Sequence, residues 1–253
     1  MTEKDPARPP RVYVPDLEAH RGSSEGKREI LLSKVEATHV RSRRLRDGDE
    51  VVALDGKGAR ARARLARGGT ALSFVSFDES SGSPGLFPGE PAIRVTVLLA
   101  CADPARVEWA IEKGTECGAA GFVLVACERS QKAHVAALSS PARLARLRRI
   151  AVEATKQCGR TLVPFVEGPE SPEELLGKGR GGERLLIADQ AGPPLAPVAS
   201  GSAGLAIGPE GGFSPSEISL FEENGALRAS LGPRVLRLET AVVAALIRLV
   251  DAR

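Results

Sequence analysis

The sequence lacks the features that mark several large classes of protein. No apolar run approaches the ~18–20 uninterrupted residues that a membrane-spanning helix needs, and we expect no secretion signal before the first strand. The four cysteines show neither Cys-x-x-Cys nor mixed Cys/His ligand spacing, so we expect reduced thiols and no metal site. These absences predict a soluble cytoplasmic protein without a membrane partner.

Other elements that would identify a reaction are also scarce. No Gly-x-x-x-x-Gly-Lys-Ser/Thr phosphate loop occurs, and none of the three histidines sits in a nucleophile motif. Aromatic residues make up only 4% of the chain, although a hydrophobic content of 42% is enough for a real core. Function must therefore be inferred from loops and charge clusters.

The pattern of strands and breakers predicts two domains. Residues 1–10 are polar and predicted to be flexible, and residues 11–79 carry short strand patterns typical of a small β-barrel. A breaker-rich linker over 80–91 follows. Residues 92–253 alternate apolar strands with helices, which predicts an α/β domain with a mainly parallel sheet.

A glycine-rich loop is the most informative stretch of the second domain. Residues 208–212, Gly-Pro-Glu-Gly-Gly, follow an apolar strand pattern. Ser214 and Glu217 then form a Ser-x-x-Glu capping box that opens a helix. Loops of this kind lie beyond the carboxyl ends of parallel strands, where ligands bind. A tight strand-to-helix turn is the simpler interpretation, but a turn does not require the carboxylate of Glu210.

A second unusual loop follows over residues 231–241, Leu-Gly-Pro-Arg-Val-Leu-Arg-Leu-Glu-Thr-Ala. Arg234, Arg237 and Glu239 crowd into this segment immediately before a very apolar helix. Charges beside such a helix are usually paired or functional. Arg237 and Glu239 could therefore form a structural ion pair, or Arg237 could anchor a substrate group. Two such loops near one C-terminus suggest a single pocket.

Arginines are clustered although the net charge is only +3. The alternation of Arg60, Arg62 and Arg64 places three guanidinium groups on one face of a strand. Clusters rich in arginine and poor in lysine favour phosphate binding, although a solvated charged face is the alternative. The residues alone predict a ligand-binding α/β domain joined to an RNA-binding module, without naming the reaction.

Both loops resemble the signature loops of the bacterial 16S ribosomal RNA uridine-N3 methyltransferases, members of the SPOUT superfamily. Further matches lie in Glu108–Gly118, Glu128–Ser130 and Glu153–Arg160. Residues 11–14 and 39–49 are similar to the PUA-like RNA-binding barrel of that family. The resemblance covers nearly the whole chain.

The resemblance implies an N-terminal PUA-like barrel, a C-terminal SPOUT domain with a trefoil knot, and a homodimer that methylates N3 of a uridine in 16S ribosomal RNA of the small ribosomal subunit. S-adenosylmethionine is the implied cofactor. The residues implied to bind it are Ala188, Gly208, Pro209, Glu210, Gly211, Leu231, Gly232, Val235 and Leu236. The implied catalytic residues are Arg237, which would stabilise the uridinate, Glu239, which would hold Arg237, and Glu210, which could take the proton.

The predicted RNA-binding residues are all arginines: Arg41, Arg43, Arg44, Arg60, Arg62, Arg64, Arg129, Arg146, Arg149 and Arg160. Two alternatives stay open at this point. One is a SPOUT methyltransferase acting on another RNA position, such as a ribose hydroxyl, and the other is a non-catalytic RNA-binding ribosome-assembly factor.

Overall fold

The computed structural model describes residues 9–21, 29–77, 90–198 and 200–250. Two compact units are formed: residues 1–90 with 155–163, and residues 91–154 with 164–253. The segment 155–163, which the sequence pattern assigns to the second domain, thus belongs by its contacts to the first unit. Residues 1–8 of the predicted flexible terminus and 80–89 of the predicted linker lie outside the described residues.

The first unit contains a five-stranded sheet in the order β1-β3-β4-β5-β2. Its strands are β1 (Arg11–Tyr13), β2 (Glu29–Leu31), β3 (Glu50–Leu54), β4 (Arg60–Ala66) and β5 (Ala71–Phe77), and α-helix α1 (Lys34–Ser42) lies between β2 and β3 in the chain. The β1–β3 pair is parallel and the other pairs are antiparallel. Within the described ranges no ladder joins the outer strands β1 and β2, so barrel closure stays a prediction.

Strand β4 has the two faces that its sequence predicts. Ala61, Ala63 and Leu65 are buried in the core of the unit, whereas Arg62 and Arg64 are exposed. Because successive side chains of a strand point to opposite faces, the arginines share one face. Arg64 also forms an ion pair with Glu50 on β3, at 3.3 Å between Nη2 and Oε1.

The second unit alternates strands and helices. The elements are β6 (Ile93–Ala100), α2 (Pro104–Glu116), β7 (Gly121–Val125), α3 (Lys132–Leu138), α4 (Pro141–Cys158), β8 (Phe165–Glu170), α5 (Pro172–Gly177), β9 (Arg184–Ala188), β10 (Gly201–Ile207), α6 (Pro215–Glu223), β11 (Leu227–Ala229) and α7 (Leu238–Val250). The last turn of α4 belongs to the segment assigned to the first unit.

The sheet of the second unit has six strands in the order β11-β9-β10-β6-β7-β8, and every pair is parallel. This confirms the predicted α/β class with a mainly parallel sheet. The chain runs outward from β6 through β7 to β8, and the later strands lie on the other side of β6. The order reverses beside β6, and such switch points place ligand loops at the carboxyl edge of a sheet.

Helix α7 explains the apolar C-terminal stretch. Its side chains Val242, Leu246 and Leu249 are fully buried, and the helix packs against α2 and β6. Over the described parts of the chain, no helix combines the length and apolarity that crossing a membrane requires.

Candidate functional site

The predicted strand, loop and capped helix are present around residue 208. Strand β10 ends at Ile207, and Ser214 is the N-cap of α6. The Ser214 side chain accepts a hydrogen bond from the Glu217 backbone N–H at 3.2 Å, and the Glu217 Oε2 accepts one from the Ser214 N–H at 2.8 Å. The capping box predicted from the sequence is therefore confirmed.

Glu217 does more than cap its own helix. Its other oxygen, Oε1, accepts a hydrogen bond of 2.7 Å from the backbone N–H of Glu128, in the loop after β7. Only 6% of Glu217 is exposed, so its charge is buried and is stabilised by these backbone donors. The carboxylate thereby joins the start of α6 to the neighbouring loop.

Two arginines, one at the start of α2 and one in the loop after β7, form hydrogen bonds with the glycine-rich loop. The Arg106 Nη1, in the first turn of α2, donates to the Glu210 Oε1 at 2.9 Å. The Arg129 Nη1 donates to the Gly211 carbonyl at 2.7 Å. The loop is therefore fastened at two successive residues, and the sequence had indicated neither contact.

The loop also depends on small residues. A Cβ atom on Gly208 would lie 3.2 Å from the Phe213 ring, which makes an edge-on contact with Phe221 at 5.3 Å between centroids. Gly212 has a φ of +69°, a conformation that favours glycine. Because glycine has no side chain, the loop presents bare backbone at residues 208, 211 and 212, which line the adjacent cavity.

The second loop lies beyond β11. The Ser230 side chain accepts a hydrogen bond from the Gly232 N–H at 3.2 Å, and Gly232 has a φ of +123°. The Arg237 carbonyl accepts from the Ala241 N–H at 2.8 Å, so Arg237 directly precedes α7 and begins its hydrogen-bonding pattern. Val235, between these points, is 85% exposed, which is unusual for a valine.

Both loops line one cavity of about 490 Å³ at the carboxyl ends of β9 and β10. The residues that surround it include all those predicted to bind a cofactor: Ala188, Gly208, Pro209, Glu210, Gly211, Leu231, Gly232, Val235 and Leu236. The cavity is also lined by four charged residues that were not predicted to bind the cofactor: Arg106, Arg129, Asp189 and Arg234. The single pocket inferred from two loops is therefore present.

The predicted partnership of Arg237 with Glu239 is wrong. No ion pair or hydrogen bond joins these two described residues; Arg237 is exposed, and the Glu239 Oε2 is buried without a hydrogen-bond partner. The reason is geometric, because residues two apart in a helical turn point in different directions. Glu239 instead occupies the first turn of α7, where a carboxylate interacts favourably with the helix dipole.

The charges around the cavity are unequally paired. Asp189 accepts from the Arg228 guanidinium at 3.2 Å, and Glu210 accepts from Arg106. Arg234 and Arg237 are exposed, and neither has a hydrogen bond or an ion pair to another described residue through its side chain. The wall formed by the second loop is therefore left with excess positive charge.

Several predicted RNA-binding arginines have intramolecular partners. Arg160 is the clearest correction: it is only 5% exposed, and its guanidinium donates to the Glu90 Oε2 at 2.8 and 3.0 Å. It cannot also face RNA, because burial and pairing consume its donors. Arg146 makes a bidentate contact with Glu108, at 2.6 and 2.8 Å, while Arg129 lies at the cavity. Arg149 is exposed.

The cysteines form no disulfide among the described residues. Cys101 and Cys127 are buried, Cys117 is half-buried and Cys158 is exposed. Burial raises the pKa of the Cys101 thiol to about 12 and also raises that of Cys127, so both stay protonated and unreactive. Within the described ranges no group of three or more His, Cys, Asp or Glu residues could hold a metal ion.

A parallel sheet with a cavity beyond the carboxyl ends of its strands is typical of α/β proteins that bind a ligand there. Residues 89–250 match the model of the RNA methyltransferase domain family. The chain is 32% identical over 216 residues to the ribosomal RNA small subunit methyltransferase E of Mycobacterium tuberculosis, covering 81% of this chain and 79% of that one. The protein of that name from Bacillus subtilis is 28% identical over 217 residues, 80% of this chain and 82% of the other.

The chain therefore belongs to the ribosomal RNA small subunit methyltransferase E family of RNA methyltransferases. A crystal structure of such a methyltransferase from Neisseria gonorrhoeae, bound to S-adenosyl methionine, has a similar fold, with a TM-score of 0.79 and 26% identity. The superposition covers 94% of this chain and 95% of that chain.

Proposed function

We propose that the protein uses S-adenosylmethionine to methylate N3 of a uridine in 16S ribosomal RNA of the small ribosomal subunit. The observation that carries this proposal is the cavity in which both glycine-containing loops meet at the carboxyl ends of parallel strands. The family membership and the S-adenosyl methionine in the Neisseria gonorrhoeae relative support the choice of methyl donor.

The residues around the cavity fit such a cofactor. Glycine backbone at 208, 211, 212 and 232 can approach a ligand closely, and its N–H and C=O groups can read the edge of an adenine ring. Phe213, Leu236 and Leu238 supply apolar surface in the same cavity. In this proposal Ala188, Gly208 to Gly211 and Leu231 to Leu236 hold the cofactor, which supplies an electrophilic methyl group.

The chemistry at the base sets the remaining requirements. The N3–H of uridine is a weak acid, so the proton must leave N3 before or as the nitrogen forms its bond to carbon. Arg237 is exposed at the cavity wall, its guanidinium has no partner among the described residues, and it can stabilise the negative charge that develops on the base. Arg234 lies on the same wall, and in this proposal it contacts a flanking phosphate.

Glu210 remains a candidate acceptor for that proton, together with water. Arg106 occupies its Oε1, whereas its Oε2 has no hydrogen bond to another described residue. One oxygen is therefore open to accept a proton while the ion pair fixes the carboxylate. In this reading Arg106 positions Glu210, and Glu239 stabilises the start of α7.

We further propose that the family features of the resemblance apply: a PUA-like first unit that binds RNA, a trefoil knot in the second unit, a homodimer, and action in the cytoplasm. Trp109 on α2 is 44% exposed and Ile247 on α7 is 49% exposed, although these two helices pack together. Large exposed apolar side chains on adjacent helices suit contact with a second copy. Analytical ultracentrifugation of wild type and Trp109→Glu tests the dimer, because the variant should sediment as a monomer.

The activity is tested with small ribosomal subunits from a bacterial strain that lacks this methylation. After incubation with S-adenosylmethionine, mass spectrometry of nucleosides should find 3-methyluridine. Arg237→Ala should abolish most turnover while calorimetry still detects cofactor binding, and Arg184→Ala, an exposed arginine at the start of β9, should match wild type. Methylation of a ribose or another base would refute the assigned position, and absence of cofactor binding would favour a non-catalytic assembly factor.

A further inference from the structure

Asp189 is an acidic residue of the cavity for which the sequence predicted no role. It directly follows β9 and lines the cavity. Its Oδ1 accepts a hydrogen bond of 3.0 Å from the Ala191 N–H, and its Oδ2 accepts one of 3.2 Å from the Arg228 Nη1. The side chain is still 21% exposed. Because an ionised carboxylate can accept about four hydrogen bonds, Asp189 keeps acceptor capacity for a ligand.

The turn that carries Asp189 is fixed against β11. The Asp189 N–H donates to the Ala229 carbonyl at 3.0 Å, and the Gly192 N–H donates to the Asp189 carbonyl at 3.2 Å. A Cβ atom on Gly192 would lie 2.7 Å from the backbone of residues 228 and 229, so the turn fits there because this residue is glycine. The carboxylate is therefore held in place before a ligand binds, which lowers the entropy lost on binding.

Arg228 connects Asp189 to helix α6. Its Nε and Nη2 donate to the two carboxylate oxygens of Glu222, at 2.7 and 3.2 Å, while its Nη1 donates to Asp189. A guanidinium group holds its donors in a rigid planar fork, so the contact with Glu222 also fixes the direction of the donor that meets Asp189. Arg228 is not one of the residues that line the cavity. Its effect on a ligand there would therefore be exerted through Asp189.

The charges of the cavity favour a neutral donor group as the partner of Asp189. Four arginines line the cavity, against two acidic residues, Asp189 and Glu210. This excess of positive charge disfavours a cationic group of the ligand, whereas it does not oppose a hydroxyl group. The ribose of S-adenosylmethionine carries two adjacent hydroxyls that can both donate to one carboxylate. Acidic residues bind ribose hydroxyls in this way in dinucleotide-binding α/β folds.

We propose that Asp189 accepts hydrogen bonds from the ribose hydroxyls of S-adenosylmethionine, and that Arg228 positions the carboxylate for this contact. The assignment rests on the proposed function, because it takes S-adenosylmethionine as the ligand of the cavity. It adds a cofactor contact from the loop after β9 to those predicted from the two glycine-containing loops. Arg228 is a positioning residue, since it acts on the cofactor only through Asp189.

Calorimetry with 5′-methylthioadenosine tests the contact in the full-length protein. This nucleoside has the adenine and ribose of the cofactor but no ammonium, carboxylate or sulfonium group. Asp189→Ala should weaken its binding about tenfold to hundredfold, because hydrogen bonds to a charged acceptor are lost. The 2′,3′-dideoxy form of the nucleoside should bind wild type and Asp189→Ala with equal affinity, which also shows that the cavity of the variant is intact. Asp189→Asn keeps an acceptor for the Ala191 N–H and should weaken binding about fivefold.

A double-mutant cycle tests the role of Arg228. Arg228→Met should weaken 5′-methylthioadenosine binding about threefold in the wild-type background and have no effect in the Asp189→Ala background. An arginine with a purely structural role would weaken binding equally in both. Arg146→Met is the matched control, because Arg146 also makes a bidentate contact with a glutamate of the second unit but does not line the cavity. It should bind the nucleoside like wild type.

Wild-type affinity of Asp189→Ala for 5′-methylthioadenosine would overturn the ribose contact, and so would an equal loss for the dideoxy form. A loss for S-adenosylmethionine without one for 5′-methylthioadenosine would overturn it as well, since the carboxylate would then meet the ammonium group. Additive effects in the cycle would overturn the positioning role of Arg228. All of these outcomes leave the proposed function intact, whereas a wild-type protein that binds no S-adenosylmethionine would refute both.

Discussion

Replacing Lys156 by methionine removes one charge from a fully buried ion pair in the first unit. The Lys156 Nζ lies 2.7 Å from the Glu36 Oε1, and each side chain is 4% exposed. The other oxygen, Glu36 Oε2, accepts one hydrogen bond from the described residues, that of the Tyr13 backbone N–H at 3.2 Å. The substitution therefore leaves a buried carboxylate with one neutral donor.

The expected loss of unfolding free energy depends on the Glu36 carboxylate that the substitution leaves buried. Breaking a buried pair by removing one partner costs about 3–5 kcal/mol, because the other charge is left uncompensated. Methionine retains most of the apolar stem of lysine, so the cavity contribution is small. We expect Lys156→Met to destabilise the first unit by about 3–5 kcal/mol. Adding Glu36→Met should recover most of this loss and leave about 1–2 kcal/mol for the unbonded Tyr13 N–H.

The chain has convenient reporters for this measurement. Tyr13 is the only tyrosine and lies in the first unit, while Trp109 is the only tryptophan and lies in the second. Urea unfolding followed by the near-ultraviolet signal of Tyr13 gives the free energy for the first unit. Lys178→Met is the control, followed by Trp109 fluorescence because it lies in the second unit. It breaks a 3.1 Å pair with Glu170 whose lysine is 53% exposed, and should cost about 0–1 kcal/mol. A Lys156→Met cost no larger than that of the control would refute the reasoning, and so would a double variant as unstable as the single one.

Three further outcomes are expected. Arg129→Ala should weaken S-adenosylmethionine binding about tenfold in calorimetry, because the Gly211 carbonyl loses a charged donor. Glu217→Ala should lower the melting temperature by several degrees, since it leaves the buried Ser214 N–H and the Glu128 N–H without their carboxylate acceptor. Iodoacetamide at neutral pH should modify exposed Cys158 before Cys101, whose pKa burial raises to about 12, as mass spectrometry of the native protein will determine.

Matched controls decide each of these outcomes. Arg184→Ala should bind the cofactor like wild type, and an Arg129→Ala affinity equal to it contradicts the role given to Arg129. Glu223 is exposed on the same helix as Glu217, so Glu223→Ala should leave the melting temperature unchanged. Equal effects of the two glutamate variants would refute the buried carboxylate argument. Equal labelling of both cysteines in the folded protein would show that Cys101 is accessible.

Local features of this fold could be predicted because their causes are local. The capping box of Ser214 and Glu217 depends on residues three apart, and the structure contains both of its hydrogen bonds. The strand over Glu50–Leu54 and the arginine face of β4 follow from periodicity and turn residues. The position of the glycine-rich loop follows from the rule that ligand loops extend from the carboxyl ends of parallel strands.

Pairings between distant side chains could not be predicted in this way. Arg106 and Glu210 are 104 residues apart, and Arg160 and Glu90 are 70 apart. Composition records that Arg160 is charged, but not that a buried carboxylate lies beside it. The prediction that Arg160 binds RNA was therefore wrong, because this arginine is part of a buried ion pair. Because the contact between Arg106 and Glu210 was not predicted, the sequence alone did not explain why the glycine-rich loop contains an acidic residue.

The same buried pairs determine where the first unit ends. Glu36 and Glu90 lie before the second unit in sequence, whereas their partners Lys156 and Arg160 lie after its first part. The Glu90 Oε1 also accepts the N–H groups of Thr161 and Leu162, and the Val163 N–H donates to the Gly56 carbonyl. Without residues 155–163, two buried carboxylates would lose their cations at once, each at a cost comparable with much of the stability of a small domain. The first unit is therefore complete only when the chain has passed through the first half of the second unit, and we expect that a cut at residue 90 does not yield an independently stable domain.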